Sequence, residues 1–400
     1  MKKSNSGIFD FRQLSKNIDS FSELGGILCD GKYGEVTEWI PTGNYALNGL
    51  ISGDIFNGIP AGKITVFSGP SQTGKTFLAL NCAREAQLMG YDIIWLDSEN
   101  AFDKNSAIIN FLIDPNKFRH EIVNTIEEVS SYCKKLTELL KEKKKEGFEI
   151  PKIMIVLDSI GNLSTEKEVT DVLDANQKAD MTRAKGIKRF FRVMTSECAK
   201  LNIPMVCINH VYANIGSFFG GNIQSGGSGV EYLASINVEL SKSQIKESET
   251  AKSNKIGIQV TWKLAKARFS APYKPIKFQI LFNKGMNKYI GLECFLDEES
   301  YEKIGYGPGK FVKTSNSYKY SDTIPSKYWS DKEGTNYTYK DIYCSSFFTE
   351  ERLKELNELI VKDKLSYKGA ELDKVSVIEE DIVSNYDIDS ESESEDEIVE

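Results

Sequence analysis

Eight consecutive residues carry the strongest chemical pattern in the chain. They form a G-x-x-x-x-G-K-T turn and are, in order, Gly69, Pro70, Ser71, Gln72, Thr73, Gly74, Lys75 and Thr76. In such a turn, which we call the P-loop, backbone N–H groups surround phosphate oxygens, the lysine reaches the terminal phosphates, and the threonine hydroxyl holds Mg²⁺. The pattern predicts a site for a nucleoside triphosphate and its metal ion.

Three later apolar runs suit buried parallel strands, and a polar residue stands at or just beyond the end of each. The runs and their polar residues are 92–97 with Glu99, 153–158 with Asp158, and 204–209 with His210. Ligands of open α/β sheets bind beyond the carboxyl ends of the strands. We therefore expect Glu99 to face the nucleotide, Asp158 to point towards Mg²⁺, and His210 to lie at the same edge.

Strand and helix patterns must position these groups. A strand at 64–67 leads into the P-loop and a helix follows from about Lys75, while helices at 127–145 and 180–200 separate the buried runs. Further strands are predicted over 235–240, 256–264 and 276–282. The segment 39–62 contains several glycine and asparagine residues and is expected to be a loop. The fold class is α/β, with a mostly parallel central sheet flanked by helices.

The predicted organisation has four parts: a short N-terminal arm (1–35), a nucleotide-binding core (36–295), a small C-terminal subdomain (296–378) and a disordered acidic tail (379–400). The arm has apolar residues at helical spacing and is a possible polymerisation element. The tail has eleven acidic and no basic residues, whereas the rest of the chain has 47 acidic and 50 basic residues. Such a body suits the binding of a polyanion, and the acidic tail would compete with the polyanion for the same surface. A merely solubilising tail fits the composition equally well.

Composition also excludes several classes of protein. Seven cysteines without a C-x-x-C pair indicate free thiols in a reducing compartment, and two histidines argue against a His-rich metal site. No apolar run reaches the ~18 residues of a membrane helix, and the N-terminus lacks a signal-peptide core. We expect a soluble, cytoplasmic protein without a membrane partner.

The segment 211–229 has six glycines and aromatic side chains that include Phe218. A long flexible loop of this kind suits single-stranded nucleic acid, whose bases stack on aromatic rings. A substrate lid or a disordered insertion would explain the composition as well. The preceding helix, 180–200, carries a basic face that includes Lys185, Lys188 and Arg192.

Together these motifs resemble the RecA family of strand-exchange ATPases over roughly residues 36–290. The resemblance lies in SGPSQTGKT (68–76), LDSE (96–99), VLDSIGNL (156–163), DMTRAKG (180–186), IPMVCINH (203–210), SGGSG (225–229) and KARFSAPYK (266–274). The DMTRAK and INH segments favour the phage branch of the family, the UvsX-type recombinases. The resemblance implies a RecA-like ATPase core that uses ATP and Mg²⁺.

The resemblance also implies residue roles at the ATP site. Glu99 would position the water that attacks the γ-phosphate, and Asp158 would act on the metal through water. His210 would sense the γ-phosphate and pass its state to the glycine-rich loop. Lys266 and Arg268 match a basic pair that reaches across a filament interface to the neighbour's ATP, where it would act like arginine fingers.

For DNA, the family places one loop at about 163–178 and another after His210. Gly226 and Gly227 match glycines whose backbone approaches DNA, with phosphate contacts from Lys185, Lys188 and Arg192. One departure concerns the base: Ser106 occupies the position where the family has a tyrosine that stacks on adenine. Phe102 or the neighbour's Pro272 could replace it.

The sequence thus predicts a DNA-dependent ATPase that forms helical filaments on single-stranded DNA. It would catalyse homologous pairing and strand exchange in recombination, repair and recombination-dependent replication. Expected partners are single- and double-stranded DNA, further copies of itself, a recombination mediator and a single-strand-binding protein, in the host cytoplasm if the protein is viral. Two alternatives are a RecA-like hexameric helicase motor and a DNA-coating protein that uses ATP only as a switch.

Overall fold

The computed structural model describes most of the region between residues 36 and 366. The described residues are 13–15, 17, 36–173, 182–213, 222–224, 228–246, 255–281, 285–297, 300, 303–305, 307–308, 328–330, 336–338 and 342–366. The predicted acidic tail and nearly all of the predicted N-terminal arm lie outside them.

A ten-stranded sheet forms the centre of the described chain. The strands up to residue 286 are β1 (Trp39–Ile40), β2 (Ile59–Pro60), β3 (Ile64–Gly69), β4 (Asp92–Asp97), β5 (Phe118–Ile122), β6 (Ile153–Asp158), β7 (Met205–Ala213), β8 (Asn222–Gln224), β9 (Ile236–Lys246), β10 (Lys255–Lys266), β11 (Ile276–Leu281) and β12 (Gly285–Met286). The sheet order is β12-β11-β10-β9-β3-β7-β6-β4-β5, with β8 paired to β7, while β1 and β2 pair separately. Strands β9, β3, β7, β6, β4 and β5 run parallel, and β10, β11 and β12 are antiparallel. The prediction of a mostly parallel sheet is confirmed.

Helices cover both faces of the sheet. They are α1 (Tyr45–Ser52), α2 (Lys75–Leu88), α3 (Lys104–Phe111), α4 (Ile126–Lys145), α5 (Glu166–Leu173), α6 (Thr182–Leu201), α7 (Ser228–Leu233), α8 (Glu350–Leu356) and α9 (Lys362–Leu365), with a π-helical segment (Asn357–Val361) between the last two. Short 3₁₀ turns lie at Pro115–Lys117, Ile160–Asn162 and Leu292–Phe295, and a small antiparallel sheet comprises β13 (Gly307–Pro308), β14 (Tyr328–Ser330) and β15 (Asn336–Thr338).

The period-two alternation of the buried strands divides the core into two layers. On β6, Met154 and Val156 pack into the layer with α1 and α2, whereas Ile155 and Leu157 pack into the layer with α4 and α6. Each such side chain contributes about 1.5–3 kcal/mol by leaving water. The first layer also contains residues from 342–365, among them Phe347 and Leu356. A separate C-terminal subdomain from residue 296 stays a prediction, because much of 296–341 lies outside the described residues.

Three local expectations were wrong. The segment 39–62 is ordered as β1, α1 and β2, because Asn44 caps α1 by accepting a hydrogen bond from the Leu47 N–H at 2.9 Å. The loop expected at 163–178 contains α5, which begins where Thr165 and Glu168 exchange hydrogen bonds of 3.0 Å in a capping box. Strand β7 continues past His210 to Ala213, since it pairs with β8.

The prediction of buried free thiols is confirmed for four described cysteines, Cys82, Cys133, Cys198 and Cys207. Cys294 is a free thiol that is half-buried, and Cys344 is half-buried as well. In the described part of the chain, every helix is too short or too polar to cross a membrane.

Candidate functional site

The register of the parallel strands brings the predicted polar residues to one edge of the sheet. Gly69 at the end of β3 lies opposite His210 on β7, and Asp97 at the end of β4 lies opposite Asp158 on β6. Because β3, β4 and β6 end at this edge and β7 passes it at His210, residues up to 141 positions apart in sequence become neighbours. The expected gathering of the P-loop, Glu99, Asp158 and His210 is what the structure shows.

The P-loop turns sharply from β3 into α2. Gly74 precedes α2 with a φ of +86°, a left-handed conformation that favours glycine. A Cβ atom on Gly69 would lie 2.5 Å from the Leu240 carbonyl oxygen of β9, so no larger residue fits there. The N-terminus of the 14-residue helix α2 therefore opens directly onto the turn and favours anions.

Lys75 is the buried cation of the P-loop, with 5% of its surface exposed. Its ammonium donates hydrogen bonds to the carbonyl oxygens of Gly69 at 3.0 Å and Pro70 at 2.8 Å. Burial lowers the pKa of Lys75 to about 8 despite the nearby carboxylates of Asp158 and Glu99. A phosphate would favour its charged form.

Thr76 and Asp158 present adjoining oxygens. The Thr76 hydroxyl donates to Asp158 Oδ2 at 2.9 Å. Burial raises the pKa of Asp158 to about 7, an effect that the hydrogen bond from Thr76 opposes. A hydroxyl and a buried carboxylate form the hard oxygen set that Mg²⁺ prefers, and a cation would offset the cost of burying the charge. These residues fit the metal ion that the P-loop pattern predicts.

Glu99 is held at the site by two hydrogen bonds to one carboxylate oxygen. His210 Nε2 lies 2.7 Å from Glu99 Oε1, and the Ser159 hydroxyl donates to the same atom at 2.8 Å. The hydrogen bond to His210 is the largest cause that lowers the pKa of Glu99, and partial burial opposes it. Glu99 is therefore ionised at neutral pH and oriented by a residue from a different strand.

Asp97 anchors the loop that carries Glu99, a role that the sequence analysis missed. Its buried carboxylate accepts the backbone N–H groups of Glu99 at 2.9 Å, Asn100 at 2.8 Å and Phe102 at 3.1 Å. His120 on β5 places its Nε2 3.2 Å from the same carboxylate. The sequence carries a signal for this role, because an aspartate at the end of a strand commonly accepts hydrogen bonds from the N–H groups two and three residues later.

The ends of β4 and β6 are joined by serine hydroxyls. Ser98 Oγ donates to the Ser159 carbonyl at 2.7 Å and accepts from the Ser159 N–H at 2.9 Å. Asn162 Nδ2 donates to the Ser98 carbonyl at 2.7 Å. The loops after β4 and β6 therefore form one hydrogen-bonded unit beside Glu99.

Helix α6 is connected to the same edge through Arg183. The Arg183 guanidinium donates to three carbonyls of the turn after β6, those of Ile160 at 3.2 Å, Gly161 at 2.6 Å and Leu163 at 2.5 Å. A Cβ on Gly161 would lie 3.0 Å from His210 Cδ2, so the His210 ring packs directly against this turn. The turn after β6 thus connects the start of the basic helix α6 to His210.

These residues surround a cavity of about 220 Å³. Its lining residues are Ser71, Gln72, Gly74, Lys75, Thr76, Phe77, Glu99, Asp158, Ile208 and His210. Phe102 instead stacks on Phe118 and His120, with ring centroids 5.1 Å and 4.9 Å away. Phe102 is therefore engaged in its own aromatic cluster, which weakens its expected role at the base.

Lys266 and Arg268 lie beyond the residues that line this cavity in their own chain. The Lys266 ammonium donates to the Tyr232 carbonyl at 2.5 Å, and Arg268 is exposed. Tyr232 is itself 71% exposed at the end of α7. Arg268 is therefore on the surface, Lys266 is half-buried, and neither side chain lines the cavity beside the P-loop of its own chain.

Of the predicted DNA contacts, Lys185, Lys188 and Arg192 are exposed along one face of α6. Their spacing of three and four residues places them in one row. Phe218, Gly226 and Gly227 lie outside the described residues. Helix α5, within the first predicted DNA loop, has Glu166 and Glu168 in its first turn, which is unfavourable for phosphate contacts.

Comparison with known proteins identifies the family. A model of the RecA N-terminal domain matches residues 16–287. The chain is 25% identical over 330 residues to the "Recombination and repair protein" of Enterobacteria phage T4, covering 78% of this chain and 79% of that protein. It is 26% identical over 289 residues to Protein RecA of Anaplasma marginale (strain Florida), covering 69% and 73%, and 27% identical over 293 residues to Protein RecA of Bacteroides thetaiotaomicron, covering 72% and 79%.

These matches confirm the family predicted from the motifs, and the T4 protein confirms the predicted likeness to the phage branch. The matched region contains the P-loop, Glu99, Asp158, His210, and the pair Lys266 and Arg268. This chain belongs to the RecA family, because the family model matches more than half of the 400 residues of the chain.

Proposed function

We propose that this chain is a DNA-dependent ATPase that polymerises on single-stranded DNA, pairs it with homologous duplex DNA and exchanges the strands. As a RecA-family recombinase it hydrolyses ATP and acts in DNA recombination and repair. Family membership implies a nucleotide and a divalent metal ion, and we propose ATP and Mg²⁺. The observation that carries the proposal is the 2.7 Å contact between Glu99 and His210, because β7 leads from His210 into the glycine-rich segment.

In this proposal the P-loop N–H groups and Lys75 bind the phosphates, while Thr76 holds Mg²⁺ with Asp158 acting through water. Bound Mg²⁺ would neutralise charge on the phosphate oxygens and orient them. Glu99 orients the attacking water and accepts its proton, which suits a carboxylate kept ionised by His210 and Ser159. Catalysis then rests mainly on positioning and charge stabilisation, as is usual for phosphoryl transfer.

His210 would couple ATP to DNA. A γ-phosphate that hydrogen-bonds His210 would compete with the contact to Glu99 and thereby release the carboxylate to bind water. The same movement would shift the start of the glycine-rich segment through β7, and the turn 160–163 through Gly161. In the sequence, the turn precedes α6 and the glycine-rich segment follows it, so the ATP state would control the order of the DNA-binding loops.

Lys266 and Arg268 would complete the site of a neighbouring subunit. Their position on the surface and their separation from the chain's own cavity support this role. Hydrolysis would then require polymerisation, since an isolated chain lacks these two cations at its γ-phosphate. The interface is head-to-tail, which generates an open helix or a closed ring according to the rotation between subunits.

DNA would be held by its backbone, with base pairing supplying the sequence specificity. The exposed row on α6, Lys185, Lys188 and Arg192, would contact phosphates together with the backbone near Gly226 and Gly227, while Phe218 would stack on bases. Binding should therefore weaken steeply with salt and depend little on sequence. A recombination mediator and a single-strand-binding protein complete the proposed partners.

Electron microscopy tests this proposal. The full chain is incubated with single-stranded DNA and a slowly hydrolysed ATP analogue, and a parallel sample receives labelled homologous duplex and ATP. We expect open helical filaments and transfer of the labelled strand. Closed rings would favour a hexameric motor, and filaments without strand transfer would favour a coating protein, so either result would overturn the proposal.

A further inference from the structure

Strand β9 continues beyond the end of its parallel partner and passes over the P-loop. It pairs with β3 from Thr65 and Ile236 to Ser68 and Glu239. The carbonyl oxygen of the next residue, Leu240, packs so closely against Gly69 that a Cβ atom there would lie only 2.5 Å from it. Two residues later, Lys242 stands above the outer part of the turn.

The Lys242 ammonium binds this outer part directly. It donates to the Ser71 carbonyl at 2.9 Å and lies 3.2 Å from Gln72 Oε1. Gln72 has a φ of +60°, a left-handed conformation that costs free energy for a residue other than glycine. Two lysines therefore contact successive carbonyls of one turn: buried Lys75 binds those of Gly69 and Pro70, and exposed Lys242 binds that of Ser71.

The direction of the Ser71 carbonyl matters for phosphate binding. A planar trans peptide directs its C=O and the following N–H to opposite sides. A cation that holds the Ser71 oxygen therefore keeps the Gln72 N–H on the opposite side of this peptide. Because Ser71 and Gln72 both line the cavity, fixing this peptide would fix a backbone donor that a phosphate cradle can use.

We propose that Lys242 is a positioning residue that preorganises the P-loop by clamping the Ser71–Gln72 peptide and the Gln72 side chain. This role rests on the proposed binding of nucleotide at the P-loop. The clamp acts before nucleotide arrives and does not depend on the number of phosphates. The Lys242 charge is also close enough to act on Lys75. Burial is the main cause that lowers the pKa of Lys75, and the Lys242 charge lowers it further.

The first test uses amide hydrogen exchange on the full-length, nucleotide-free chain. Lys242→Met is compared with Lys263→Met, an exposed lysine of the adjoining strand β10 that lies 3.9 Å from Glu239. We expect peptides covering 68–77 to exchange several-fold faster in Lys242→Met alone, with Lys242→Arg restoring protection. Equal exchange in Lys242→Met and the unmodified chain would overturn the clamp.

The second test is calorimetric binding of MgADP and of a non-hydrolysable ATP analogue. Loss of one exposed charge-assisted clamp should weaken both ligands about fivefold, while Lys242→Arg and Lys263→Met stay within about twofold of the unmodified chain. Weaker binding of the ATP analogue alone would overturn the clamp in favour of direct contact with the terminal phosphate. If the unmodified chain bound neither ligand, the proposed function itself would fail, while the exchange experiment would still report on the clamp.

Discussion

Charged side chains have different kinds of partner at the parallel edge of the sheet and on its antiparallel extension, which comprises β10, β11 and β12. At the parallel edge, Glu99 is paired with His210, Asp158 with Thr76, and Lys75 with P-loop carbonyls. On the extension, Lys266 contacts a backbone carbonyl of an exposed residue and Arg268 is exposed. One region is assembled within a single chain, whereas the other presents cations at the surface. This difference is what the proposed division of the catalytic site between subunits requires.

The largest expected effect comes from removing the surface cations. In the double variant Lys266→Met and Arg268→Met, DNA-stimulated turnover should fall about 10³-fold, because charge developing on the transferred phosphoryl group is no longer neutralised. Steady-state phosphate release measures this loss, and MgADP binding by dilute chains should be unchanged. Lys263→Met on β10 is the matched control, with 64% of its side chain exposed. A double variant that keeps full turnover would remove the functional distinction between the two regions.

Glu99→Gln tests the parallel edge, with a loss of about 10²-fold in turnover because a neutral amide cannot accept the proton of the attacking water. Nucleotide affinity should change little, since the phosphate-binding groups remain. Glu138→Gln, on the surface of α4 with 62% of its side chain exposed, controls for loss of a negative charge. Unchanged turnover in Glu99→Gln would exclude Glu99 as the base and favour a protein that uses ATP only for assembly.

Asp97→Asn sharpens the comparison, because it weakens the hydrogen bonds that hold the loop carrying Glu99 and removes no reacting group. An amide oxygen replaces only part of the carboxylate's acceptor capacity, so turnover should fall about tenfold while the Kd for MgADP stays within about twofold. Single-turnover kinetics and calorimetry separate the two quantities. Asp103→Asn is the control, because Asp103 caps α3 through the N–H groups of Asn105 and Ser106 and asparagine caps equally well. Equal losses in both variants would show that Asp97 has no particular role at Glu99.

The smallest expected effect concerns pH. The Lys75 pKa lies at about 8 in the folded chain, below its usual value, because of burial. Above that pH the nucleotide-free chain must take up a proton to bind phosphate, so MgADP affinity should fall about fivefold between pH 8 and pH 9. Lys75→Arg, which stays charged, should show a flat profile at lower affinity. A flat profile in the unmodified chain would contradict the burial argument for Lys75.

Raising the pH should have the opposite effect on the stability of the folded chain. Between pH 8 and the ordinary lysine pKa, the unfolded chain binds more protons at this position than the folded chain, so the Lys75 contribution to the free energy of unfolding rises with pH. Nucleotide affinity and stability should therefore change in opposite directions over this interval when Lys75 is compared with Lys75→Arg.

The parallel edge was predictable from sequence because strand ends determine it. Long apolar runs identify β4, β6 and β7, and the rule for carboxyl edges then places Glu99, Asp158 and His210 together. The contacts of Asp97, Ser159 and Arg183 were not predicted, because they depend on the three-dimensional meeting of separate loops. Strand β5 was also missed, since only Phe118 and Glu121 among its residues are even half-buried and its apolar pattern is weak.

The extension was predicted less completely. Strands β10 and β11 were recognised and β12 was not. Strand β10 and the parallel strand β9 beside it are longer than their apolar patterns, because backbone pairing continues along exposed positions such as Lys242. The position of Lys242 on the P-loop follows from this extra length. The packing of Phe102 was not predicted either: its type suited base stacking, whereas in the fold neighbouring Phe118 and His120 pack against its ring.

The most direct test of a divided site mixes two inactive variants. Glu99→Gln supplies intact surface cations, and the double variant Lys266→Met and Arg268→Met supplies an intact parallel edge. If the site is shared, random co-assembly on single-stranded DNA in equal amounts should restore about one quarter of the unmodified DNA-stimulated turnover, because one head-to-tail interface in four combines both intact halves. Turnover no greater than the sum of the separate variants would contradict the divided site.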